Sequence, residues 1–215
     1  MITTIKSGNT NCYILSNETM ESYILVDAGT IQDKNFIDKL KATGKLSKIG
    51  LLILTHGHYD HVGYASFLHE NFNIPIAMHH KDSDKVSCGS MDFPPAKGFL
   101  SNIIRNLTIR DNQTATYPRF EPDIVLNSSL QIEGFPEIEI LYLPGHTQGS
   151  ICVIFENNLL AGDLVMNMFL PSITWFAEDF SLVRESIHSI YETSFVRIYP
   201  GHGNSFPSGL LKKLL

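Results

Sequence analysis

Three imidazoles and a carboxylate stand within six residues at His56-Gly57-His58-Tyr59-Asp60-His61. They follow directly on Leu51-Leu52-Ile53-Leu54-Thr55, an apolar run that reads as a buried strand. Side chains of these types bind divalent metal, and a bound metal can activate water for attack on a substrate. More distant candidate ligands each follow or lie beside another strand-like run: His146 in Pro144-Gly145-His146-Thr147-Gln148-Gly149-Ser150, Asp163 after Leu159-Leu160-Ala161-Gly162, and His202 between Gly201 and Gly203. An extended backbone places His56 and His58 on one face, so both can approach the same ion. A turn into a following helix then brings Asp60 and His61 to a neighbouring position, where first-turn N–H groups favour the Asp60 carboxylate.

The elements that must position these groups can be read from the apolar pattern. Strands are expected over Ile2–Lys6, Asn11–Ser16, Ser22–Val26 and Gly50–Thr55, with a turn at Asp27-Ala28-Gly29. A helix is expected from about Gln32 to Ala42, and another after the histidine cluster to about Glu70. Asn73–Met78 reads as a strand. From Lys81 to Pro122 the pattern loses regularity, with a possible helix over Phe99–Leu107, and the stretch is read as an insertion near the site. Strands return at Ile138–Leu143, Ser150–Phe155, Leu159–Ala161 and Phe195–Tyr199, with a helix over Glu178–Tyr191. Strands followed by helices in both halves argue for two sheets covered by helices, within one domain spanning residues 1–215.

Composition narrows the class. Hydrophobic residues are 43% of the chain and charged residues 18%, which favours a folded globule over disorder. The formal net charge of −6 and the absence of a basic tail disfavour nucleic acid as a partner. No secretory signal or membrane-spanning segment is visible, so a cytoplasmic protein acting on a small molecule is the simplest expectation. Cys12, Cys88 and Cys152 lack metal-knuckle spacing; the first and last are expected to pack as small apolar groups, and Cys88 to lie in a polar loop.

The complete succession from Asp27 through His202 resembles the metallo-beta-lactamase superfamily, in particular its dinuclear hydrolase branch. That resemblance implies a four-layer αβ/βα sandwich, α/β in class, with two metals between loops at one edge of the sheets. It implies that His56, His58 and His146 hold one ion and Asp60, His61 and His202 the other. Asp163 would bridge both, and Asp27 would be a supporting carboxylate. After His202 the chain runs only to Leu215, without the longer helical region by which glyoxalase II recognises a glutathione thioester.

Imidazole and carboxylate donors suit two Zn²⁺ ions, with iron or manganese as alternatives. The expected chemistry is hydrolysis of a small ester, lactone or thioester by a metal-bridging hydroxide. Asp60 is the carboxylate expected to orient water or relay a proton. The alternatives are a phosphoester hydrolase and an iron-dependent sulfur or oxygen oxidoreductase. Tyr59, Met168, Phe169 and Trp175 are the candidate substrate-pocket residues, and an exposed aromatic surface could instead mediate a homodimer.

Overall fold

The computed structural model describes residues 1–91, 93–98, 102–103, 105–106, 115–128 and 130–214. Among them, two six-stranded sheets face each other. The first runs in spatial order β1 (Ile2–Ser7), β2 (Thr10–Leu15), β3 (Tyr23–Val26), β4 (Ile49–Ile53), β5 (Ile76–His79) and β6 (Ile124–Leu126). Its first three strands form an antiparallel meander; β3 to β6 are parallel, joined through helical crossovers. Those crossovers carry α1 (Phe36–Ala42), α2 (Tyr59–Val62), α3 (Ala65–Phe72) and α4 (His80–Cys88).

The second sheet contains β7 (Leu130–Ile132), β8 (Phe135–Tyr142), β9 (Ile151–Phe155), β10 (Asn158–Gly162), β13 (Arg197–Pro200) and β14 (Phe206–Pro207). A separate small hairpin pairs β11 (Val165–Met166) with β12 (Ser172–Ile173). The chain reaches β13 through α5 (Phe180–Ile190). Asp179 caps α5 by accepting from Ser181 N at 2.8 Å and Leu182 N at 3.2 Å.

Strand alternation builds three apolar layers from single runs of sequence. Along β2, Cys12 and Ile14 face the helices outside the first sheet, while Tyr13 and Leu15 face the second sheet. Along β9, Ile151, Val153 and Phe155 face inward, and Cys152 packs outward with Val183 and Ile187 of α5. Each sheet is therefore covered on both faces, which explains why its central strands read as unbroken apolar runs. The order helix, sheet, sheet, helix is the four-layer αβ/βα arrangement.

Several elements depart from the sequence reading. The first helix begins at Phe36 rather than Gln32, because residues just before it close turns: Asp33 N donates to Thr30 O and Asn35 N to Asp33 Oδ1. Helix α4 occupies the start of the stretch expected to be irregular, and Cys88 is its exposed last residue rather than part of a loop. The strands β6, β7 and β14 and the β11–β12 hairpin were not anticipated; each is only two or three residues long, too short for a period to show. Much of the helix expected over Phe99–Leu107 lies outside the described residues.

Candidate metal centre

The histidine cluster sits where β4 gives way to α2. His58 is still extended (φ −79°, ψ 145°), and helical geometry starts at Tyr59. His56 and His58 thus leave the strand end together, while Asp60 and His61 sit in the first turn of α2. The remaining donors come from loops at the same edge of the sandwich: His146 after β8, Asp163 after β10 and His202 after β13. The structure brings all seven together.

Two groups form. His146 Nε2 lies 3.1 Å from His56 Nε2 and 2.9 Å from His58 Nδ1. Beside them, Asp60 Oδ2 lies 3.8 Å from His61 Nε2 and 3.4 Å from His202 Nε2. Asp163 reaches both groups, with Oδ2 at 3.5 Å from His146 Nε2 and 3.2 Å from His202 Nε2, and Oδ1 at 3.4 Å from His61 Nε2. Within each of the triplets His56/His58/His146, His56/His61/Asp163 and Asp60/His61/His202, one donor atom per residue lies within 4.8 Å of the others.

The outward-facing ring nitrogens decide which nitrogen carries the proton. Thr55 Oγ1 donates its single hydrogen to Asp27, 3.0 Å from both carboxylate oxygens, so at 3.0 Å from His56 Nδ1 it can only accept. His146 Nδ1 donates to Phe176 O at 2.7 Å, His202 Nδ1 to Asn9 O at 3.0 Å, and His61 Nδ1 to Asp27 Oδ2 at 2.8 Å. Each of these four rings is left with Nε2 turned inward, and in the neutral ring that nitrogen is a lone pair. Lone pairs of His56 and His146 then face each other across 3.1 Å, an arrangement that repels unless a cation lies between them. His61 Nε2 and Asp163 Oδ1 are buried with no hydrogen-bond partner. A divalent cation fits this donor set.

Electrostatics agree. Burial, then the neighbouring imidazoles, pushes His56 and His58 well below the usual histidine range, and burial likewise lowers His146. Burial opposes charge on His61 and His202 too, but Asp27, Asp163 and Asp60 raise His61 well above its ordinary value, and Asp163 and Asp60 push His202 up to about 10. The carboxylates that would hold protons on those two rings are the ones that would hold a cation in their place. Burial also disfavours ionised Asp60 and Asp163, yet His61 and His202 keep both carboxyls well below the usual carboxylate range.

Residues that carry no metal-binding signature complete the frame. Asp27, in a left-handed backbone conformation (φ 63°), accepts Thr55 N at 2.9 Å as well as His61. Thr10 Oγ1 donates to Asp60 Oδ2 at 2.9 Å. Asn11 Nδ2 donates to Pro200 O and Gly203 O, both at 2.8 Å, and Tyr13 Oη to Pro200 O at 2.6 Å, which pins the His202 loop to β2. Asp82, fully buried in α4, accepts from Gly57 N at 2.8 Å, Thr147 Oγ1 at 2.7 Å and Gly149 N at 3.2 Å. Thr10, Asn11 and Asp82 were missed in the sequence. The one available signal was the acidic residue in the first turn of α4, which on its own marks an ordinary exposed helix start.

The donors open onto a cavity of about 350 Å³. Tyr59, Met168 and Trp175 line it, together with Phe176 and, from the stretch read as an insertion near the site, Met91, Phe93, Pro94 and Arg105. Backbone pairing of Lys97 N with Trp175 O at 3.2 Å and Ala177 N with Pro95 O at 3.0 Å knits the two wall segments together. Phe169 lies outside this wall: it is 87% exposed, in the turn between β11 and β12, next to Met168, which does line the cavity. His69, His79, His80 and His188 take no part in the donor groups, and His79 instead stacks on Tyr142 at 4.2 Å.

The family model described as "Metallo-beta-lactamase superfamily" matches residues 5–202. The chain belongs to the metallo-beta-lactamase superfamily. A probable metallo-hydrolase of Methanocaldococcus jannaschii is 29% identical over 191 residues, covering 84% of this chain and 82% of that protein. Among solved structures, the BLEG-1 B3 metallo-beta-lactamase superposes with a TM-score of 0.73 at 25% identity, covering 97% of this chain and 95% of that one. TTHA1623 in a di-iron-bound form also gives a TM-score of 0.73, at 22% identity, covering 99% of this chain and 97% of that one. A dinuclear metal-binding cluster on this scaffold supports metal-dependent hydrolase activity. No helix among the described residues is long and apolar enough to cross a membrane.

Proposed function

We propose that this protein hydrolyses a small carboxylic ester, lactone or thioester with the help of two divalent metal ions. The observation that supports this reading is the set of four rings anchored outward through Nδ1 with Nε2 turned in as lone pairs, beside the unpartnered Asp163 Oδ1. His56, His58 and His146 would hold one ion, Asp60, His61 and His202 the other, and Asp163 both. When bound, the ions supply a lowered pKa for a water at the centre and polarisation of a substrate oxygen.

The chain's own residues supply orientation and a dry wall. Asp60 is the best-placed carboxylate for taking a proton from attacking water, because its side chain is 20% exposed and it lines the cavity. Thr10 fixes it by donating to Oδ2. Trp175, Phe176, Phe93 and Met91 present apolar surface to a substrate and exclude bulk water. Zinc is the preferred ion because nitrogen donors dominate the set; iron and manganese remain alternatives. We also read residues 1–215 as one domain and place it in the cytoplasm, in keeping with three free cysteines.

The test is a panel of small esters, lactones, thioesters and phosphodiesters, with a cephalosporin included because BLEG-1 is a B3 metallo-beta-lactamase. Protein purified without added metal is compared with chelated and zinc-reconstituted samples. Hydrolysis of a carboxylic substrate that disappears on chelation and returns with metal supports the reading. Equal turnover by metal-free protein, or turnover confined to phosphodiesters, overturns it.

A further inference from the structure

The cavity carries one cationic side chain whose role the metal chemistry does not use. Among the described residues that line it, Arg105 is the one lysine or arginine. Its Nε donates to Pro94 O at 2.8 Å and its Nη2 to Phe93 O at 2.9 Å. Two carbonyls on adjacent residues fix the plane of the guanidinium, so its direction is set before any ligand arrives. A guanidinium carries five N–H groups, and these two bonds leave three without an acceptor among the described residues. No carboxylate pairs with it either: the ion pairs of the described residues involve other cations. The acidic side chains of the cavity wall, Asp60 and Asp163, are turned to His61 and His202. Among the described residues Arg105 thus has no carboxylate partner, and it lines the cavity of a chain whose formal net charge is −6.

The cavity wall combines apolar side chains with the uncharged polar ones of Ser7, Asn9, Thr10, Thr30 and Gln32. Met91, Phe93, Pro94, Trp175 and Phe176 supply its apolar part, and none of them carries a charge that could pair with an anion. Such a cavity suits a molecule with an uncharged middle and a charged end.

We propose that Arg105 anchors an anionic group, a carboxylate or a phosphate, on the part of the substrate remote from the bond that is cleaved. The preferred substrate is then an anionic ester or thioester with an apolar segment seated against Trp175 and Phe93. This rests on the hydrolase reading above. Arg105 acts in specificity: it holds the substrate and takes no part in bond cleavage. Guanidinium suits both oxyanions because it offers paired donors in one plane, which a lysine ammonium does not.

The experiment uses metal-loaded full-length protein and three non-hydrolysable thioethers of equal length, ending in a carboxylate, a phosphate or a neutral amide. Calorimetric titration is expected to show both anions binding about 10- to 100-fold more tightly than the amide, the range of one charge-assisted contact. In Arg105→Gln that preference should vanish while the amide binds within about twofold of wild type, and Arg105→Lys should keep part of it. The ranking of carboxylate against phosphate in wild type identifies which source of negative charge the site prefers. Equal binding of charged and neutral ligands by wild type overturns the proposal. So does an equal loss for all three in Arg105→Gln, which would mark Arg105 as a brace for the Phe93–Pro94 segment. Because the readout is binding, charge-selective affinity in a protein that cleaves none of the matching thioesters would leave the anchor standing and remove the hydrolase reading alone.

Discussion

Asp82 Oδ2 accepts the backbone N–H of Gly57 at 2.8 Å, so a carboxylate on α4 holds the peptide between His56 and His58. The same oxygen accepts Thr147 Oγ1, next to His146, at 2.7 Å. One buried charge therefore sets the separation of the two loops that carry the three-histidine group. Lys85 Nζ balances it at 2.8 Å and pairs in turn with Glu178, whose other oxygen accepts Gln148 N at 2.8 Å. Asp82→Ala leaves these donors buried without an acceptor and is expected to destabilise the fold by about 3–5 kcal/mol. Asp82→Asn, gentler in shape, should lower metal affinity about 10- to 100-fold, as measured by chelator competition.

Acid should expose the same residue. Burial works against the ionised form of Asp82, but Lys85, Thr147 and Gly57 N–H win and lower its pKa below the ordinary value. The folded pKa is below the unfolded one, so the ionised group stabilises the protein above the unfolded value of about 4, and that contribution fades as pH falls through the folded pKa. In denaturant titrations of metal-free protein, wild type should lose more stability than Asp82→Asn between about pH 4 and pH 2. Parallel losses in the two proteins would count against it.

Asp27→Asn tests the orientation of His61 without changing shape. Asparagine tolerates the left-handed backbone at this position, so the comparison isolates charge. Loss of the carboxylate acceptor should weaken metal binding at Asp60, His61 and His202 about 10- to 100-fold. Elemental analysis at limiting zinc is expected to fall from two ions per chain toward one.

Gly201→Ala should damage the centre through space alone. A Cβ at Gly201 would overlap Asp163 Oδ1 and come within 2.8 Å of His61 Cε1. Both groups are donors, so the expected result is a folded protein with metal affinity reduced at least about tenfold. Circular dichroism and metal content together separate this from general unfolding.

Bound metal should also stabilise the chain measurably. At free zinc of about 100 times Kd, linkage adds about 2.7 kcal/mol per site. The unfolding temperature should rise with zinc concentration in scanning calorimetry and fall after dialysis against chelator. Asp163→Ala, which removes the carboxylate common to both groups, should flatten that dependence.

The sheets and the seven donors were legible for a shared reason. Strands such as β4 and β9 are covered on both faces, so their apolar runs are unbroken, and the donors stand where those runs stop. Asp82 was not legible because its partners Gly57 and Thr147 lie 25 and 65 residues away, and nothing local in α4 marks its carboxylate as buried. Helix α4 itself buries only Asp82 and Val86, so it shows no apolar stripe. Thr10 was hidden likewise, since its contact with Asp60 spans 50 residues. Met168 and Phe169 are neighbours in one apolar run, yet only Met168 lines the cavity, because direction within a short hairpin turn is not encoded by composition.

The clamp of Asn11 on Gly203 joins positions 192 apart in the chain. During synthesis the histidine-rich loop emerges well before the loop that closes beside it. An elongating chain thus holds exposed imidazoles that can capture an ion before their cage exists. Productive loading must wait until the loop after β13 docks against β2, so the timing of metal uptake is tied to formation of the tertiary structure.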